Sequence, residues 1–310
     1  MVQLIKKALI LFIPVLLIMA LFEYKLGQIS NLYNTKRASL ENQLDSINVL
    51  VLGNSQTLLG VNPDYFSTKG FNLSNMSQSL FYDKELCLKY IDRMKSLNCV
   101  IINISYFSLW HQLHDDKEGW RDYFYTHFWD IKYPELKWHD SKLYSLLMLY
   151  TPQESIGYAA NMFKEDLSQN LDRNGWLRYD PLKENIFISD SAGKERAEFH
   201  HGLCWPSRYD EMYSTLETLV DECRKHNVEV VFITTPVLPT YYKYTDQEIE
   251  RRNALAINGL CKEYGCSYFD FFRDPRFTEV DFYDNDHLNY IGAEKLSRII
   301  DAEIVSKIKQ

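Results

Sequence analysis

The sequence predicts an α/β protein built on a five-stranded parallel sheet. Five short apolar segments, each the length of one strand, alternate with longer segments in which apolar residues recur every three or four positions. That alternation is typical of a parallel sheet covered by helices on both faces. Glycine and proline are sparse, at 12 and 9 of 310 residues, so long flexible linkers are not expected.

The predicted elements follow one another in a regular order. The strands are predicted at residues 47–53, 70–74, 99–105, 228–236 and 267–271. The helices are predicted at residues 79–96, 209–226, 245–264 and 290–308. Ligands of such sheets bind at the carboxyl ends of the strands, so a functional site is expected in the loops that follow the strands.

The composition excludes several classes of protein. A net charge of −8 and a pI of about 5.5 argue against nucleic-acid binding through a basic surface. Hydrophobic residues make up 46% and charged residues 25% of the chain, which is the mixture of a folded protein. The sequence has no glycine-rich phosphate loop and no zinc-type cysteine spacing, so no cofactor is predicted.

Residues 1–25 predict a membrane anchor. An uncharged apolar run extends from Ala8 to Phe22 behind two lysines. The run lacks the small-residue cleavage site of a secretory signal peptide and the polar face of a soluble core helix. We expect an uncleaved signal-anchor with a cytoplasmic N-terminus, while a cleaved signal and a core helix stay as alternatives. Residues 26–46 would form a stalk, and residues 47–310 would form the extracytoplasmic domain.

Residues 106–208 interrupt the alternation of strands and helices. This insertion holds all six tryptophans and six of the eight histidines of the chain. It is predicted to be partly helical around residues 142–168. Because it follows the third strand, it should emerge at the sheet edge where the site is expected. It either shapes an aromatic groove for a substrate or packs as a satellite core, and the sequence leaves both open.

The six cysteines leave the disulfide state open. Cys87 and Cys99 fall in predicted buried segments and are expected to be free thiols. Cys261 and Cys266 lie at a helix end and a strand start, where a disulfide could form, but their spacing does not establish one.

Two loops contain the residue types of a serine nucleophile and its base. The turn Gly53-Asn54-Ser55-Gln56 directly follows the first strand, and a serine there is exposed beside backbone amides. Asp284 and His287 precede the last helix at a spacing that lets a turn bring carboxylate and imidazole together. His287 would accept the Ser55 proton while Asp284 orients the ring. With Asp286 these two residues could instead bind a metal ion, but a triad explains the spacing better, and no metal is predicted.

These two motifs resemble those of the SGNH/GDSL-type serine hydrolases and acyltransferases. The first motif of that family ends strand one with Gly-Asp-Ser or a close variant, and the last is Asp-x-x-His. Gly53-Asn54-Ser55 and the stretch from Asp284 to His287 match them. The resemblance covers about residues 47–105 and 209–305. It implies a flavodoxin-like α/β/α sandwich and a triad of Ser55, His287 and Asp284.

The sequence departs from this family at the oxyanion hole. The second motif of the family supplies a glycine amide, but residues 72–79 contain no glycine. The third motif is Gly-x-Asn, and Phe107 stands at the position of the asparagine. The hole implied by the resemblance would use the backbone N–H of Ser55 and one N–H from residues 74–77, with Ser74, Asn75 and Asn103 as the named candidate donors.

The resemblance implies a membrane-anchored, Ser-dependent O-acyltransferase or acylesterase that acts on an extracytoplasmic glycan through an acyl-enzyme. The layout looks like the membrane-anchored branch of the family, which works with polysaccharide or teichoic-acid acylation systems. Its partners would be an acyl donor, the glycan and a membrane-bound acyltransferase. The anchor and the insertion favour the transferase, with Trp176 and Trp205 predicted to line a groove beside Ser55. The alternative is a non-enzymatic envelope protein of this fold that binds a glycan or a membrane partner.

Overall fold

The computed structural model describes residues 2–159, 167–179 and 188–308, so part of the helical segment predicted around 142–168 lies outside the described residues. The described residues form five strands: β1 Val49–Leu52, β2 Gly70–Asn72, β3 Cys99–Asn103, β4 Glu229–Thr234 and β5 Ser267–Asp270. They also form eleven α-helices: α1 Val2–Gln28, α2 Leu32–Glu41, α3 Ser55–Gly60, α4 Leu80–Tyr90, α5 Arg121–Trp129, α6 Pro152–Ala159, α7 Asp190–Gly202, α8 Tyr209–Lys225, α9 Pro239–Tyr242, α10 Gln247–Tyr264 and α11 Tyr290–Glu303.

The five strands form one parallel sheet in the order β2-β1-β3-β4-β5, which confirms the predicted five-stranded α/β architecture. Each strand lies within its predicted segment. The order 2-1-3-4-5 is that of flavodoxin-like doubly wound sheets, in which the chain changes direction between β1 and β3. Val49 in β1 pairs with Gly70 on one side and with Cys99 on the other. The carboxyl ends of β1 and β3 therefore meet where such sheets bind ligands.

The sheet is buried on both faces from β1 to β4, whereas the residues of the edge strand β5 are half-buried or exposed. Val51, Ile101 and Ile233 pack in one cluster with Leu296 and Ile300 of α11. Successive residues of a strand point to opposite faces, and the residues between these, such as Leu50, Val100 and Phe232, are also fully buried. Burying each such side chain contributes about 1.5–3 kcal/mol. The apolar runs that predicted the strands are thus explained by helices on both faces.

The chain divides into two compact units. One comprises Met1–Thr35 and Trp120–Gln169, and the other comprises Lys36–Gly119 and Asn170–Gln310. The sheet and every residue predicted for the catalytic site belong to the second unit. The predicted insertion, residues 106–208, is therefore shared between the two units. Lys36, Leu40 and Leu44, which fall in the segment predicted as a stalk, are buried.

The first unit contains the apolar N-terminal helix α1. The Glu23 carboxylate of this helix accepts hydrogen bonds from the backbone N–H groups of Leu146 and Leu147. The apolar side chains of Ile10 and of the residues from Phe12 to Leu21 are exposed, with Leu17 65% exposed. Among the described residues, no helix taken alone has the length and hydropathy to cross a bilayer, whereas Phe12–Gln28 and Leu32–Glu41, bent by 63°, meet both requirements as a pair.

Candidate active site

The turn after β1 presents Ser55 as the first residue of α3. Asn54 caps this helix, because its side-chain oxygen accepts the Gln56 backbone N–H at 3.0 Å. Gly53 adopts φ +141°, and a Cβ there would lie 2.5 Å from Oγ1 of Thr57. Only glycine fits both the conformation and the space. The result is a sharp turn that leaves the Ser55 side chain half-buried at the sheet edge.

The loop before α11 folds around the Asp284 carboxylate. Its Oδ1 accepts the backbone N–H groups of Asp286 at 2.9 Å and of His287 at 2.8 Å. The carboxylate oxygens also lie 2.9 and 3.1 Å from His287 Nδ1. The three-residue spacing is therefore what lets one carboxylate hold both the turn and the imidazole ring.

Ser55 and Asp284 both lie within hydrogen-bond reach of the His287 ring. Ser55 Oγ lies 2.8 Å from His287 Nε2, and Asp284 bonds the opposite ring nitrogen. Burial opposes the charged form of the ring, but the Asp284 and Asp286 carboxylates outweigh it and raise the pKa of His287 above its ordinary value. Such a ring is a stronger base towards the serine proton.

A second carboxylate, Asp286, lies behind the imidazole and is 1% exposed. Its Oδ1 accepts Nε–H of Arg196 at 2.8 Å and lies 3.6 Å from His287 Nδ1. Burial disfavours its charge, but Arg196 outweighs this and holds the pKa of Asp286 well below its usual range. Nε2 of His200 lies 4.0 Å from Oδ2 of Asp286. Burial lowers the pKa of His200 well below its ordinary value, which keeps this ring neutral. Sequence reasoning missed Arg196, which lies in the predicted insertion.

Gln56, the residue after Ser55, joins the elements around the site. Its side-chain oxygen accepts hydroxyl groups of Ser105 at 2.7 Å and Thr235 at 3.3 Å. Its side-chain nitrogen donates to Asp286 at 3.2 Å. Ser105 follows β3, Thr235 follows β4, and Gln56 itself follows β1. The Gln56 side chain therefore connects the ends of three strands to the loop before α11, which contains Asp286 and His287. Sequence reasoning gave Gln56 no role, although its place beside the nucleophile was a usable signal.

The predicted oxyanion donors differ in availability. The backbone N–H of Ser74 donates to Asn72 at 3.0 Å, and that of Asn75 donates to Gly53 at 3.2 Å. The Asn103 side-chain nitrogen donates to Ser105 at 2.9 Å. Within the described chain, the Ser55 N–H, at the first position of its helix, has no backbone or side-chain acceptor.

Ser77 lies within the predicted donor range 74–77, although it is not one of the named candidates. Met76 N–H bonds the Asn75 side chain at 2.8 Å, whereas the Ser77 N–H has no acceptor among the described residues. Ser77 has φ +53°, a left-handed conformation that is uncommon for a residue with a Cβ. Among residues 74–77, the backbone N–H without an acceptor in the described chain is therefore that of Ser77.

The two tryptophans predicted for a substrate groove have packing roles. Trp176 is 5% exposed, and its indole N–H donates to the Leu59 carbonyl at 2.7 Å. It supports the far end of α3, the helix that begins with Ser55. Trp205 is half-buried, with its ring centroid 5.8 Å from that of His111. These contacts fit the satellite-core alternative for this part of the insertion.

The alternative of a metal site concerns the loop before α11. Asp284, Asp286 and His287 offer three ligand atoms within 4.8 Å of one another. Hydrogen bonds to Arg196, to Ser55 and among the three residues already engage those atoms, which favours proton transfer over metal binding.

All six cysteines are described, and all are free thiols, including Cys261 and Cys266.

A part of the chain that includes the loop before α11 matches a known family in sequence. Residues 199–293 match the family model described as "DltD protein". The match includes Asp284 and His287 and covers less than half of the chain. The resemblance to SGNH-type proteins of the cell envelope is confirmed. No curated protein matches the chain in sequence.

Three solved structures are similar over most of the chain at 12% identity. A protein from Bacteroides fragilis, provisionally described as an acylhydrolase, aligns with a TM-score of 0.43 over 91% of this chain and 100% of its own. A GDSL-like lipase from Bacteroides thetaiotaomicron gives 0.42 over 89% and 99%. A lipase/acylhydrolase from Enterococcus faecalis gives 0.40 over 85% and 100%. These scores are too low to assign the activity of this chain.

Proposed function

We propose that the protein is a membrane-anchored, Ser-dependent acyl-transfer enzyme that acts on an O-acyl group of an extracytoplasmic glycan. The observation that carries the proposal is the chain of hydrogen bonds from Ser55 Oγ through His287 to Asp284. A hydroxyl, an imidazole and a carboxylate in this order are the components of a serine nucleophile with its general base.

In the first half of the reaction, the acyl group moves to the enzyme. His287 Nε2 accepts the hydroxyl proton as Ser55 Oγ attacks the acyl carbonyl. Asp284 stabilises the imidazolium that forms. The tetrahedral intermediate collapses, His287 returns the proton to the departing oxygen or sulfur of the donor, and an ester at Ser55 remains.

In the second half, His287 deprotonates a glycan hydroxyl or water, which attacks the ester and releases Ser55. A glycan acceptor makes the protein a transferase, and water makes it an esterase. The oxyanion of both tetrahedral intermediates would be held by the backbone N–H of Ser55 and, from the loop after β2, by that of Ser77. Each such donor contributes a factor of roughly 10²–10³ to the rate.

The substrate class rests on the family match. The DltD family functions in teichoic-acid D-alanylation, which favours a teichoic-acid type of glycan and a small acyl group. A membrane-bound acyltransferase would supply the acyl group as the partner in such a system. The exposed apolar side chains of α1 support anchoring in the membrane beside that partner.

The test supplies the full chain in detergent with an activated acyl ester and a teichoic-acid-type glycan. Acyl-glycan formation that Ser55→Ala abolishes and Ser74→Ala retains would support the transferase. Free acid alone, with the glycan saturating, would identify an esterase. If the folded protein forms no more product than a protein-free control, the enzymatic proposal fails and the non-enzymatic envelope protein becomes the better account. The same products with and without the Ser55 hydroxyl would show that Ser55 is not the nucleophile.

A further inference from the structure

A second concave region lies at the carboxyl edge of the sheet, outside the triad. It is a cavity of about 330 Å³, which is within the usual size of small-molecule sites. It opens where β3, β4 and β5 end, and α10 forms one wall. Its lining includes Ile104, Tyr106, Thr234, Tyr268 and Phe272.

The cavity and the triad share the same strand ends. Ser105 and Thr235 turn towards Gln56 in the catalytic network. Their neighbours Tyr106 and Thr234 line the cavity instead. Adjacent strands are about 4.8 Å apart, so a cavity across β3 to β5 lies roughly 5–15 Å along the sheet edge from the end of β1. A ligand of more than one sugar unit has the length to span this separation.

The floor of the cavity combines aromatic rings with hydroxyl groups. Tyr106 and Phe272 are 4% and 7% exposed, so each ring contributes a small apolar patch to the lining rather than an open face. Thr234 Oγ1 and the Tyr268 hydroxyl bond each other at 2.8 Å, and Thr234 also donates to the Ile104 carbonyl. Such a floor offers apolar contact together with fixed hydrogen-bonding groups.

The rim of the cavity carries balanced charge. Glu250 accepts two hydrogen bonds from Arg273, at 2.8 and 2.9 Å. Arg251 and Asp270 are exposed on the same rim. Arg251 in turn bonds the neighbouring Glu248 at 2.6 and 2.8 Å, so both guanidinium groups are already paired with carboxylates and the rim does not favour an anionic ligand. It does favour a neutral ligand with many hydroxyl groups, which can accept from arginine and donate to carboxylate.

We propose that this cavity binds a neutral sugar residue and serves as an acceptor subsite for the glycan modified at Ser55. The role of the cavity as an acceptor subsite rests on the proposed function, whereas the binding of a sugar in the cavity does not. The apolar side of a sugar ring contacts the edges of the lining that Ile104, Tyr106 and Phe272 provide, and its hydroxyls bond the rim. The subsite holds the chain while the next unit lies at the triad, which limits competition from water.

The experiment measures sugar binding without requiring catalysis. Saturation-transfer difference NMR is recorded on the full chain and on Ser55→Ala with the methyl glycosides of glucose and N-acetylglucosamine. Ala254→Phe, on the half-buried cavity wall, should lower the signal about fivefold or more. Leu255→Phe is the matched control, because Leu255 is 59% exposed on the same helix and is not a lining residue. It should leave the signal unchanged.

The outcomes separate this proposal from the proposed function. No binding of either glycoside, or equal binding in Ala254→Phe and Leu255→Phe, would overturn the subsite whether or not Ser55 is active. Stronger binding of glycerol 3-phosphate than of the glycosides would overturn the neutral ligand class. Sugar binding that depends on Ala254, in a protein without Ser55-dependent activity, would support the cavity and contradict only the proposed enzyme.

Discussion

The turn after β1 and the loop after β2 contain similar residues at the same sheet edge but use them differently. Ser55 is half-buried and bonds the imidazole of His287. Ser74 is fully buried, and its hydroxyl has no partner among the described residues. The buried Lys36 amine donates to the Ser74 carbonyl, and burial lowers the pKa of that amine well below its usual value. The first turn exposes its functional groups, whereas the second mostly encloses them.

This difference shows what makes a serine a candidate nucleophile. Both residues lie beside asparagine at the end of a parallel strand, so the local sequence does not separate them. Ser55 differs because Gly53 permits the sharp turn and because a loop 232 residues away supplies the base. The loop after β2 would contribute the backbone N–H of Ser77 to the oxyanion hole. A backbone donor cannot be recognised from the type of side chain at its position.

The largest expected effect separates the two serines. Ser55→Ala should lower kcat by about 10⁴-fold or more, because the nucleophile is lost while binding is retained. Ser74→Ala should change kcat less than about tenfold, because the Ser74 hydroxyl bonds nothing in the described chain. Steady-state turnover of an activated ester checks both variants, and circular dichroism confirms folding. Equal losses in the two variants would remove the distinction.

The next effect separates the two carboxylates beside His287. The neutral ring is the base, and its pKa is raised, so kcat/KM should rise with pH through a value above about 6.5. Asp284→Asn should lower kcat about 10²–10⁴-fold and move this rise to lower pH, because an anion that raises the pKa is removed. Asp286→Asn should have the smaller effect on kcat.

The measurement for the carboxylates is the pH profile of kcat/KM for the wild type and both variants. Asp286→Asn leaves the Arg196 charge without its carboxylate, so stability is followed in parallel. A greater loss of kcat in folded Asp286→Asn than in Asp284→Asn would reassign the orienting role to Asp286.

A third comparison concerns the backbone of the two loops. Gly53→Ala should destabilise the protein by more than about 2 kcal/mol, because φ +141° and the 2.5 Å approach to Thr57 both exclude a Cβ. Ser77→Gly should change stability by less than about 1 kcal/mol, because glycine accepts φ +53° without strain. Chemical denaturation gives both values. A stable Gly53→Ala variant would show that the turn can take another conformation.

The smallest expected effect concerns Asp83, whose carboxylate bonds the backbone of the turn after β1. Its carboxylate accepts Gly53 N–H and the Gln78 side chain, and burial raises the pKa of Asp83 to about 7. The unfolded carboxyl loses its proton from about pH 4, so the native state binds more protons between about pH 4 and 7. The Asp83 contribution to the free energy of unfolding should therefore fall as pH rises through that window.

Thermal unfolding at about pH 5 and about pH 8 tests this prediction with Asp83→Asn, which cannot ionise. The Tm of the variant relative to wild type should be higher at the alkaline pH than at the acidic one. A constant difference in Tm between the two proteins would show that Asp83 does not titrate in this window.

The sequence predicted the fold better than the surroundings of the site. Strands β1 to β4 were predictable because parallel strands covered on both faces are largely apolar runs, as in Cys99–Asn103. The half-buried edge strand β5 was predicted within the same alternation of strands and helices. Ser55, Asp284 and His287 could be proposed because their motifs are local. Arg196 could not, because it reaches Asp286 across 90 residues and through an insertion without periodicity. Trp176 was assigned to a groove because composition does not distinguish a ring that packs under a helix from one that faces a ligand.

The central claim is that His287 activates Ser55 as a nucleophile. The most direct measurement is labelling of the folded full chain with a serine-reactive fluorophosphonate, followed by mass spectrometry of the Ser55 peptide. We predict one label per chain on Ser55, a rate that rises with pH as His287 loses its proton, and no labelling in Ser55→Ala. Unlabelled Ser55 in folded protein, or labelling that His287→Ala leaves unchanged, would contradict the account.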